Sequence, residues 1–170
     1  MTQGDGPSIV ARMADWHLVY EDETLREGYA KNVHLVAWFD APTADHMRQY
    51  GVGAQALHAR YPQGSGLMNL IVSGTPSFSN EVRELARQYT AEGLHDAGAA
   101  HVILVGGLLG SAVRGFLGTM LLLGRPPNPT RVFAGVEPAA AWLVGGLERT
   151  GTQRWDADEL AAITTRFVAR

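Results

Sequence analysis

The sequence predicts an α/β domain: a mixed sheet of about five strands, mostly parallel, with helices on one face and an extra C-terminal helix. Short apolar runs rich in branched residues alternate with segments whose apolar residues recur at helical spacing. Strands separated by helices join through right-handed crossovers, which leave neighbouring strands parallel. The chain has 170 residues, of which 46% are hydrophobic and 18% charged. That is a globular composition, of a size for one domain with terminal additions.

Residues 1–15 are small and polar, and are expected to form a flexible N-terminal arm. The α/β domain is placed at 16–150, and 151–170 is a C-terminal helix packing on the domain or on a partner. "WHLVYEDE" (16–23) alternates, with Trp16, Leu18 and Tyr20 on one face. Gly28 falls in the turn that follows. "AKNVHLVAWFD" (30–40) is the next strand, pairing antiparallel with the first. Val33, Leu35, Ala37 and Phe39 share one face, and His34, Val36 and Trp38 the other. Both faces are largely apolar, so this strand is central and covered on both sides.

Residues 41–62 read as a helix with Thr43 as N-cap and Met47, Tyr50, Ala54, Leu57 and Tyr61 on one stripe. Gly51 and Gly53 count against it. A strand at 66–74 follows, then an amphipathic helix at 79–98 and a buried strand at 99–106. Residues 108–124 form an unusually apolar helix whose only charge is Arg114. The last strand is 130–136. A helix then runs from Glu137-Pro138 through Trp142, Leu143 and Leu147, Pro138 suiting its first turn. The final helix, 155–170, is capped by Asp156 and carries Leu160, Ile163 and Phe167 on its apolar side.

Composition narrows the function classes. A net charge of −3 supplies no basic field for nucleic acid. The chain has no cysteine, which excludes disulfides, thiolate metal sites and a cysteine nucleophile, and fits a cytoplasmic setting. The N-terminus does not read as a secretory signal. The apolar run from Val102 to Leu123 is interrupted by Gly106-Gly107, Gly110 and Arg114, so no membrane span is expected.

The most suggestive motif is "HVILVGGLLGSAVRG" (101–115), a strand running through glycines into a helix. A dinucleotide fingerprint would need glycine where Val105 stands, a Walker loop would need a lysine before Ser111, and no acid follows for a ribose. Free amides at a helix N-terminus remain, so Gly106, Gly107, Gly110 and Ser111, with Arg114 assisting, form a candidate anion or nucleotide site. Close packing of strand and helix explains the same glycines.

The histidines, at 17, 34, 46, 58, 95 and 101, show no metal-ligand spacing, so no metal or cofactor is expected. His95-Asp96 reads as a helix-end pair interacting with the dipole. Ser77 and Ser79 precede a helix, where capping and phosphorylation are both compatible with the position. No acid, base and nucleophile converge by spacing, so the chain reads as non-enzymatic. With helices on one face, the other sheet face needs cover. Trp38, Leu160, Ile163 and Phe167 are therefore candidate interface residues, for a partner protein or a second copy.

The element order, with "RVFAGVEPAAAWL" (131–143) and "VHLVAWFDAPTADHMRQY" (33–50), resembles the STAS domains of anti-sigma-factor antagonists and sulfate-transporter tails. Small bacterial STAS-like proteins are the more specific likeness, which spans about residues 16–147. It implies a protein–protein interaction or regulatory module. In antagonists of that family a phosphorylatable serine opens the helix after a middle strand, which is near Ser77 or Ser79. This chain has "PSFSNE" where those have Asp-Ser-Ser-Gly.

Overall fold

A computed structural model describes residues 15–74, 78–151 and 153–170. One sheet holds six strands in chain order: β1 (His17–Glu21), β2 (Leu25–Ala30), β3 (Val33–Trp38), β4 (Gly66–Ile71), β5 (Gly98–Ile103) and β6 (Thr130–Phe133). β1, β2 and β3 pair antiparallel, and β3 through β6 pair parallel. The helices are α1 (Ala44–Arg60), α2 (Asn80–Glu92), α3 (Gly107–Gly124), α4 (Val136–Thr150) and α5 (Ala157–Val168).

The α/β class is as expected, and two details are corrected. The sheet has six strands rather than about five, so its antiparallel share is larger. "LREGYA" is a full strand where the sequence suggested a turn at Gly28. Its apolar alternation is broken by Glu27, a charged residue on a buried position. The turns lie on either side of it. The Asp22 carboxylate accepts the amides of Thr24 and Leu25, each at 2.8 Å, and Lys31 takes a left-handed φ of 48°.

The second correction is that helices cover both faces. Right-handed crossovers place α1 and α2 on one side, over Leu25, Val36, Trp38 and Leu67. After β6 the chain turns back, and α4 and α5 lie over Leu35, Met68, Leu70 and Val102. The Asp156 side chain caps α5 by accepting the amides of Asp158 and Glu159. Phe167 meets Trp16 edge-on at 5.6 Å, and Arg26 donates to the Phe167 carbonyl at 2.6 Å. The C-terminal helix thus packs on its own domain.

The candidate interface therefore does not form a surface. Leu160, Ile163 and Phe167 are at most 3% exposed under α5, and Trp38 is 7% exposed on the opposite sheet face. The chain's last two helices seal the face that the sequence left open.

Candidate functional site

Strand alternation decides which side chains meet under α1 and α2. Glu27 and Tyr29 of β2, His34 of β3, Asn69 of β4 and His101 of β5 all point to that face. The register sets His34 beside Tyr29 and Asn69 beside His101. α1 comes down over them with Gln49, Tyr50 and Gly53. A Cβ at Gly53 would overlap the Glu27 carboxylate, and one at Gly51 would overlap the Tyr89 ring. The two glycines that weaken α1 as a helix make room for the polar cluster and for α2.

Glu27, His34 and His95 form a buried hydrogen-bonded chain. His34 Nε2 lies 2.7 Å from Glu27 Oε1, and His34 Nδ1 lies 3.2 Å from His95 Nε2. Gln49 Nε2 donates to the other carboxylate oxygen at 2.9 Å. Glu27 and His34 are fully buried and His95 is 7% exposed. The His34 ring stacks with both Tyr50 and His95, each centroid 5.4 Å away, and those two rings lie 6.4 Å apart, so the three form a triangle. Burial, reinforced by the negative charge of Glu27, pushes the Tyr50 hydroxyl above its ordinary range. Burial also holds His95 well below the usual imidazole value, aided by His34, His101 and His58.

A second chain runs beside the first. Trp38 Nε1 donates to Asn69 Oδ1 at 2.8 Å, which leaves the Asn69 amide nitrogen to donate to His101 Nδ1 at 2.9 Å. Burial pushes the His101 imidazole down to about 4. Both chains end at a half-open cavity of about 50 Å³ bounded by α2, β5 and the segment before β6. Tyr50, Tyr89, His95, His101 and Asn128 are among its lining residues. No cluster that could hold a metal ion occurs among the described residues.

The residues singled out in the sequence lie elsewhere. Ser79 caps α2 by accepting the Val82 amide at 3.2 Å, and Ser77 falls outside the described residues. Gly106 and Gly107 open α3, and a Cβ at Gly110 would overlap the Val105 carbonyl, so that glycine serves close packing. Arg114 Nη2 donates to Ser111 Oγ at 3.0 Å along the helix flank.

α3 contacts the sheet mainly along β5 and β6. Only 12% of it is buried, and it is the one helix among the described residues long and apolar enough to cross a membrane by length and composition. Leu108, Leu122 and Leu123 are 92%, 78% and 74% exposed.

Sequence reasoning missed the Glu27–His34–His95 chain because its members come from two strands and the connection between α2 and β5. The available signal was His34 itself, a titratable residue inside a strand apolar on both faces. No family model and no curated protein matches the chain.

Proposed function

We propose that the chain is a non-enzymatic, STAS-like protein-interaction module that pairs with a second copy of itself through α3. The single observation that carries this reading is the exposed stripe of α3, which is chemically symmetric about Gly115. Leu108, Ser111, Ala112, Gly115, Gly118, Thr119 and Leu122 lie on one helical face, all exposed. Turned end for end about Gly115, leucine meets leucine, serine meets threonine, and alanine meets glycine. An isologous two-fold contact requires such a self-complementary surface.

The small central residues let two antiparallel helices approach closely, and their dipoles then oppose. Among the described residues, nothing lies within 4 Å of a Cβ added at Gly115 or Gly118, so the centre of the stripe is open. Exposed apolar surface of this kind marks interaction sites. Burying two leucines per copy contributes roughly 6–12 kcal/mol. Association costs about 4–15 kcal/mol. The pairing is therefore weak, and covalent capture is the appropriate assay.

The chain has no cysteine, so Gly115→Cys introduces one thiol on the proposed two-fold axis with open space around it. Under mild oxidation this variant is expected to form a disulfide-linked dimer far faster than Val52→Cys, an exposed control on α1. Equal rates, with a monomer by light scattering at high concentration, refute self-pairing. A monomer that binds neutral lipid vesicles through α3 assigns the helix to a membrane surface instead.

A further inference from the structure

We infer that the cavity between α2, β5 and residues 126–130 is a binding site for a small uncharged group of the carboxamide type, held between His95 and His101. The inference rests on the two hydrogen-bonded chains, and is independent of α3.

With Glu27 a carboxylate and the imidazoles of both chains neutral, the chain ends assign the ring protons. Glu27 ends the first chain as acceptor, so His34 donates from Nε2 and its Nδ1 accepts from His95 Nε2–H. His95 Nδ1 is left as an acceptor. In the second chain the Trp38 indole can only donate, which orients the Asn69 amide. Its nitrogen donates to His101 Nδ1, so the His101 proton sits on Nε2. Among the described residues no hydrogen bond engages His95 Nδ1 or His101 Nε2. Both residues line the cavity.

The cavity thus presents one imidazole acceptor and one imidazole donor, each held in place from behind. A carboxamide carries the complementary pair on two atoms bonded to one carbon: its N–H donates to His95 and its carbonyl accepts from His101. Size agrees. A cavity of about 50 Å³ exceeds the ~10–15 Å³ that one water needs, so it admits a group of a few heavy atoms. Tyr50 and Tyr89 supply aromatic walls for a planar group.

Charge decides between carboxamide and carboxylate. Both histidines are held neutral at pH 7 by burial, so an anion finds no counter-charge. The titratable groups around the pocket are His34 on β3 against His95, Glu27 behind it, Tyr29 on β2, Tyr50 and His58 on α1, Tyr89 and Glu92 on α2, and Asp96 before β5. None of them is a fixed cation, and an uncharged ligand loses nothing by their arrangement.

The test uses the whole chain labelled with nitrogen-15 at pH 7.5. Long-range proton–nitrogen spectra are expected to show His95 and His101 both as Nε2–H tautomers. Titration with acetamide to 100 mM is expected to shift resonances of His95, His101 and Asn128 saturably. Its isosteric anion, acetate, is expected to bind at least tenfold more weakly. His101→Phe, which keeps an aromatic ring but removes the donor, is expected to weaken acetamide binding at least tenfold, and Asn69→Ala, away from the cavity wall, is expected to weaken it through loss of the fixed His101 tautomer. A Nδ1–H tautomer at His95, no saturable acetamide shift, or acetate binding equal to acetamide overturns the inference.

Discussion

Lowering the pH from 7 to 5 is expected to remove stability through His101, by an amount the structure bounds. Its imidazole sits at about 4 in the folded chain against an ordinary value of 6.5. Below pH 6.5 the unfolded chain takes up a proton that the folded chain refuses until about pH 4. Stability therefore rises with pH across that window and falls as the pH drops. A group with these two values loses about 2 kcal/mol between pH 7 and pH 5. That is the upper end, because the cavity admits water to the ring.

His95 is shifted in the same direction and adds to the loss, so His101 must be isolated by difference. Urea unfolding of the parent chain and of His101→Gln, each at pH 7 and pH 5, gives a variant penalty at each pH. Carboxylate titration elsewhere is common to both chains and cancels. The penalty is expected to shrink by up to about 2 kcal/mol at pH 5. A penalty equal at the two pH values, or a His101 proton resonance titrating near 6.5, refutes the reasoning.

Phe167→Ala removes a fully buried ring that α5 seats against Trp16 and Arg26. It is expected to cost about 3–5 kcal/mol by chemical denaturation. Gly53→Ala gains roughly 1 kcal/mol of helix propensity, yet drives a methyl into the Glu27 carboxylate. Net destabilisation with displaced His34 resonances is expected, and a more stable variant contradicts the packing described. Asp156→Ala removes the two-amide cap of α5 and is expected to lower stability by about 1 kcal/mol in thermal unfolding. Leu108→Ser with Leu122→Ser changes only exposed positions. Dimer formation by the Gly115→Cys chain is expected to fall at unchanged melting temperature.

Particular residues explain what could be read in advance. Thr43, Ser79 and Asp156 announce helix starts because capping is a local hydrogen bond between near neighbours. β3 was legible as a doubly covered strand because both of its faces are apolar. β2 was not, because Glu27 occupies a core position that only His34 and Gln49 make tolerable. Gly51 and Gly53 looked like defects in α1 until Glu27 and Tyr89 were seen beneath them.

The sequence by itself determined the α/β class, the helix caps, the crossover order and the unusual character of the 108–124 helix. Each follows from spacing or chemistry within a few residues. Only the tertiary structure decided which apolar face stays open and which histidines act together. α5 closes over β3 while α3 remains exposed, and two buried hydrogen-bonded chains end at one cavity through His95 and His101. Side-chain convergence depends on strand register and helix placement, which are set by packing across the whole sheet and leave no periodic trace in the chain.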